Sequence, residues 1–268
     1  MLRNVAAKTL RDLRRGFLWW SVGLAGMVAL MVAVYPTVRD NPALNRLVEQ
    51  YPDTLKAIIG FGGAVDYTSA AGYLGSELFS FMVPLLLLLA AIGAGARAVA
   101  GEEEAGTLEL LLSCPVSRRR LVLEKLAALV VETTALGAVL LVSLWIGARS
   151  VSMDVSLAHL AAATASAVFL ALAYGAIALL VGAATGRRAL TVAVVAALAV
   201  AAFLLASLAP LVSVLDVAKE ASPFYHYSAS DPLRHGLAAA HALPLLALAA
   251  VAGLLAPLAL ERRDVGVG

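Results

Sequence analysis

Six long apolar runs, separated by short polar segments, set the character of the chain. They cover residues 17–35, 73–96, 121–148, 157–183, 189–214 and 237–260. Each is continuous and rich in Ala, Leu and Val, without the apolar–polar alternation of a strand. A helix needs about 20 apolar residues to cross the hydrocarbon core of a bilayer, and these runs meet that length. Inside lipid every backbone N–H and C=O must pair within its own segment, which a helix achieves and an open strand does not. The missing alternation also argues against a transmembrane β-barrel. The pattern predicts an all-α integral membrane protein with six transmembrane helices, organised as one membrane domain over residues 1–268.

The polar segments predict smaller elements. Before the first run, Arg3, Lys8, Arg11, Arg14 and Arg15 alternate with Leu2, Ala6, Leu10 and Leu13, and these four apolar residues share one helical face. Residues 1–16 read as an N-terminal interfacial helix whose basic side chains reach anionic headgroups. The following run is too long for the apolar core of a signal peptide and reads as a retained first span. A charged, amphipathic island at residues 101–116 separates the second and third runs. Leu108, Leu111 and Leu112 fall on one helical face, whereas Thr107, Glu109 and Ser113 fall elsewhere. Gly106 permits a tight start to this helix, and Thr107 is a candidate N-cap. Pro115 stops the helix, because it has no N–H and disfavours helical geometry at Cys114. Residues 40–73 form the longest loop, broken by Asn41-Pro42, Tyr51-Pro52-Asp53 and Gly60-Phe61-Gly62-Gly63. Residues 215–236 carry Phe224, Tyr225 and Tyr227, which suit a membrane–water boundary. Ser222-Pro223 and Asp231-Pro232 bracket them, and Pro210 kinks the fifth run near its end.

Composition supports a membrane setting. The chain is 62% hydrophobic and 14% charged, with mean hydropathy +0.90, against about 45–50% and about 25% in soluble domains. Charge then orients the spans. Fourteen Lys and Arg residues, including Arg97, the Arg118–Arg120 triplet, Lys125, Arg187, Arg188, Arg262 and Arg263, flank one side, and six flank the other. The richer side is expected to be cytoplasmic, which puts both termini and the island inside. The single cysteine, Cys114, allows no intramolecular disulfide.

Several kinds of chemistry are absent. None of Lys8, Lys56, Lys125 and Lys219 follows a glycine, so the chain has no P-loop of its own. No histidine is followed by Glu, and no G-x-S-x-G motif occurs. Glu102-Glu103 resembles the paired glutamates of intramembrane CAAX-type proteases, but Thr107 stands where that family needs Arg. His226, His235 and His241 lie in or beside one loop, without the cysteines or patterned carboxylates of a metal centre. No catalytic site, metal or cofactor is expected in this chain, and no nucleic-acid partner. Within the spans, Glu132 and Arg97 are the informative charges. They read as a structural pair between adjacent helices, with a cation or substrate contact as the alternative.

The fifteen residues Glu104-Ala105-Gly106-Thr107-Leu108-Glu109-Leu110-Leu111-Leu112-Ser113-Cys114-Pro115-Val116-Ser117-Arg118 resemble the signature of type-2 membrane permeases of ATP-binding cassette (ABC) exporters. The order is acidic, any, Gly, Thr, apolar, acidic, leucines, a small residue, Pro, Val, Ser, Arg. It falls between the second and third of six spans, and the resemblance covers nearly the whole chain. Residues 222–236 resemble the bacterial subgroup that includes permeases of antibiotic resistance and of nitrous-oxide-reductase maturation. The resemblance implies a permease subunit in the inner membrane of a prokaryote, moving an amphipathic or lipid-like molecule outward. Its partners would be a second permease copy, identical or not, and two ABC ATPase subunits that bind ATP and Mg. Residues 101–116 would be the coupling helix, with Glu102, Glu103, Glu104, Gly106, Thr107, Leu108, Glu109, Leu111, Leu112, Pro115 and Arg118 meeting the ATPase. Residues 215–236 would form a re-entrant segment, making Pro210, Phe224, Tyr225 and Tyr227 candidate gate or path residues. Two alternatives stay open: a mechanotransmitter or scaffold that works with an ATPase without transporting, and an ion-driven secondary transporter.

Overall fold

Serines start the helices where polar segments hand over to apolar runs. Ser117 accepts from the N–H of Arg120 at 3.3 Å, Ser156 from His159 at 3.1 Å and Ser222 from Phe224 at 3.2 Å. Each satisfies one of the donors that a helix start leaves open. The computed structural model describes residues 5–41, 66–108, 117–209 and 218–263, and positions 43, 46, 50 and 52 between the first two segments.

Among the described residues, six helices are long and apolar enough to cross a membrane. They are α1 (Val5–Arg39), α2 (Ala70–Glu104), α3 (Arg118–Ser150), α4 (Leu157–Thr185), α5 (Arg188–Leu208) and α8 (Ala239–Glu261). Between α5 and α8, among the described residues, lie a 3-10 turn at Lys219–Ala221 and two short α-helices, α6 (Pro223–Ser228) and α7 (Pro232–His235). No strand occurs among the described residues.

Helix α1 joins two expected elements. Helix runs unbroken from Val5 to Arg39, so the basic stretch expected at the interface continues directly into the first span. No proline or capping residue stands between the basic stretch and the apolar run, and a single glycine, Gly16, does not end a helix.

Helix α2 is continuous but uneven. Its turns widen over Leu74–Met82 and again over Arg97–Gly101. Pro84 has no N–H to give back to the preceding turn, and just before it Val83 donates to Leu78 O, five residues back.

Helix α4 is the centre of the bundle. It packs against α2, α3 and α8, while α1 lies along α3. In α4, 72% of the most apolar stretch is buried, against 17% in α1 and in α5. Small residues allow the tightest crossing: a Cβ on Gly95 of α2 would collide with the carbonyl of Gly175 on α4. Leu18, Trp19, Val22 and Leu30 on α1, and Val194, Leu198 and Val200 on α5, are left exposed. Those faces need lipid or another protein.

Candidate functional site

The end of the bundle that carries the island is held together by charge. Three consecutive glutamates close α2, and each reaches a different neighbour. Glu102 pairs with Lys125 on α3, whose side chain is 3% exposed. Glu103 pairs with Arg263, just beyond α8. Glu104 accepts from the backbone N–H of Arg188, the first residue of α5, at 2.7 Å. The last contact puts a carboxylate at a helix N-terminus, where open donors and the helix dipole favour it. Thr107 fastens the turn by donating to Glu102 O at 3.1 Å.

The chain then reverses at Gly106, whose φ of 66° lies in the left-handed region that glycine occupies without strain. Leu108, 1% exposed, drops into a second apolar cluster with Val99 on α2, Leu121 and Val122 on α3, Leu179 on α4 and Leu260 on α8. On the far side of the island, Arg118 donates to the carbonyls of Leu260 at 3.2 Å and Arg263 at 2.8 Å. It thereby satisfies acceptors at the C-terminal end of α8. Both ends of the island are thus tied into the bundle, through α3, α4, α5 and α8. Glu109, Leu111, Leu112 and Pro115 lie outside the described residues, as does the second half of the span expected for the coupling helix.

A family model described as ABC-2 family transporter protein matches residues 3–265. The chain belongs to this family. It is a multi-pass ABC-2 membrane protein of the permease type, with six apolar helices. No curated protein matches it.

At the opposite end of this ABC-2 protein, helices pack around aromatic side chains. Tyr227 on α6 is buried and donates its hydroxyl to Phe79 O on α2 at 2.6 Å; burial pushes its phenol pKa up. Its own carbonyl accepts from Ser166 of α4 at 3.0 Å, and Ser222 donates to Ala202 O on α5 at 2.7 Å. Phe224 is buried between Phe203 and Tyr174, with ring centroids at 5.4 and 6.0 Å. Tyr225 points elsewhere, against His226, His241 and Lys219. The three aromatics named as one gate therefore divide: Phe224 and Tyr227 are packed, and Tyr225 sits half-exposed in a polar cluster. In that cluster the Nδ1 atoms of His226 and His241 are 3.3 Å apart, and His226 Nε2 donates to Glu220 O at 2.9 Å. Pro210 lies outside the described residues.

Glu132 and Arg97 are electrostatic neighbours, each the main opposite charge acting on the other. Glu132 is 5% exposed, and its Oε2 has no hydrogen-bond partner. Lys125, Arg188 and Arg263 are the residues that sequence reasoning missed as partners of the glutamates. The available signal was their position: all three stand at span ends on the side richer in basic residues.

Proposed function

We propose that the chain is the membrane subunit of an ATP-driven exporter that moves an amphipathic or lipid-like molecule out of the cytoplasm. ATP and Mg belong to a separate ABC ATPase, present in two copies against two permease chains, identical or not. In this reading the chain sits in a prokaryotic inner membrane with both termini and the island in the cytoplasm. Residues 101–116 couple the two kinds of subunit. The observation that carries the reading is the triple tie at Glu102, Glu103 and Glu104. A push on the island acts on the ends of α3, α5 and α8 together, so a soluble ATPase can move several spans from one contact.

The ties also redistribute roles within the island. Glu102, Glu103 and Glu104 are engaged by this chain's own groups, so docking falls to Glu109, Leu111 and Leu112. The exposed faces of α1 and α5 are where a second copy completes an apolar path, with Phe224 and Tyr227 closing its outer end. The experiment is reconstitution of the chain with its ATPase and comparison of wild type with Glu109→Lys. The expected result is no ATP hydrolysis by the chain alone, and loss of ATPase association and export in the variant. Hydrolysis by the lone chain, or unchanged export in E109K, overturns the proposal.

A further inference from the structure

A cavity of about 370 Å³ opens at the charged end, between the first turns of α1 and the ends of α2, α3 and α5. Its size falls within the roughly 300–1,000 Å³ of small-molecule sites. Six charged residues line it: Lys8 and Asp12 from α1, Arg97 and Glu102 from α2, Lys125 from α3 and Arg188 from α5. Both acids are already taken. Asp12 faces Lys8 at 3.8 Å, and Glu102 is paired with Lys125. The cations left over are Arg97 and Arg188.

These two arginines are like-charged neighbours, and Arg97 is half-buried. The stem of Arg188 passes over Gly101, which brings its head toward the same space. Among the described residues, no hydrogen bond or ion pair takes up either guanidinium. The carboxylate nearest in effect to Arg97 is Glu132, which does not line the cavity. Two guanidinium groups facing one water-accessible space repel each other until an anion joins them. Their planar forks match the oxygens of a phosphate in particular. The location suits that chemistry, since α2 leaves its apolar stretch at Arg97 and α5 enters its own just after Arg188.

We propose that this cavity binds a phosphate-bearing anion between the guanidinium groups of Arg97 and Arg188. An occupied site ties the end of α2 to the start of α5 beside the triple tie, so the anion sets how firmly those two spans are held together. The group is the headgroup of an anionic phospholipid or a soluble phosphate.

The test titrates short-chain phosphatidylglycerol, inorganic phosphate and short-chain diacylglycerol separately into the full chain in neutral detergent, reading the ligand-dependent shift in unfolding temperature. The proposal expects phosphatidylglycerol to stabilise the wild type and diacylglycerol, which lacks phosphate, to have no effect. Arg188→Gln, at an exposed position, should weaken binding about tenfold. The double variant Arg97→Gln with Glu132→Gln removes the buried charge together with its counter-charge, and should do the same. Arg119→Gln with Arg120→Gln, exposed at the same end but off the cavity, should bind as the wild type does. Inorganic phosphate reproducing the shift identifies a soluble ligand; a shift with the lipid alone identifies a headgroup. Equal binding by wild type and cavity variants, equal loss in the off-cavity control, or no response to either phosphate overturns the proposal.

Discussion

The two ends of the bundle solve the same problem with opposite chemistry. At the charged end, helices are joined through carboxylates, Lys125 and the arginines, around a left-handed turn at Gly106. At the aromatic end, they are joined through hydroxyl-to-carbonyl bonds and ring packing around Tyr227 and Phe224. Charged pairs at a water-facing boundary are strong when buried but respond to salt, to counter-charges and to any partner that competes for one member. Neutral bonds inside packed rings have fewer competitors. The charged end is therefore the more easily shifted of the two, and the aromatic end the more firmly fixed.

The largest effect is expected from breaking the buried pair. Lys125→Met leaves Glu102 without its cation, and one of that carboxylate's oxygens is already buried without a hydrogen bond. Removing one member of a buried pair costs about 3–5 kcal/mol. Denaturant unfolding in detergent should show a loss of that order, and the double variant Glu102→Gln with Lys125→Met should recover most of it. A loss of under about 1 kcal/mol would place the pair with ordinary surface bridges.

At the aromatic end, Tyr227→Phe keeps the ring and removes only the donor to Phe79 O. The expected cost is about 1–2 kcal/mol, from leaving a buried acceptor unmatched. Raising salt from low to about 1 M should weaken the charged end, where screening acts within a few Å. It should leave the difference between Tyr227→Phe and wild type unchanged. A Tyr227→Phe effect that moves with salt would break the comparison.

The two ends also differ in how far they were legible in sequence. The six spans are written in runs of local composition, and all six appear as helices. Local pattern did not separate an amphipathic helix from a span that continues it, since no stop signal lies between Arg11 and Phe17; α1 runs through both. The wide turns of α2 over Leu74–Met82 were equally hidden, because they lie within an apolar run just before Pro84, which has no N–H to give to the preceding turn. The triple tie was invisible for a different reason. Arg263 lies 160 residues from Glu103, and Arg188 lies 84 from Glu104. Only the three-dimensional arrangement of α5 and α8 decides which cations meet which acids. The island's motif singled out residues 104–118; it did not show that Glu102, Glu103 and Glu104 are each engaged by this chain's own groups. At the aromatic end, composition showed rings near a boundary, and only packing separates the buried Phe224 and Tyr227 from Tyr225.

The smallest expected effect on stability is also the one that best separates holding the fold from transmitting a push. Glu104 is exposed, and among the described residues its tie is the bond from the Arg188 N–H. Truncation to alanine removes an acceptor at a helix start, worth about 0.5–2 kcal/mol in general and toward the low end for an exposed group. Glu104→Gln keeps a side-chain oxygen for the same donor and should fall between wild type and alanine. The bundle should therefore fold in all three. If the tie to α5 carries motion from the island, the alanine variant in the assembled complex should still bind the ATPase and should export less per ATP hydrolysed. Glutamine should restore part of that ratio. The measurement is ATP hydrolysis and export in the same proteoliposomes, with unfolding followed in parallel. An export-to-hydrolysis ratio equal to wild type in Glu104→Ala would mean that coupling runs through α3 and α8 alone. The contact with α5 would then only shape the turn at Gly106.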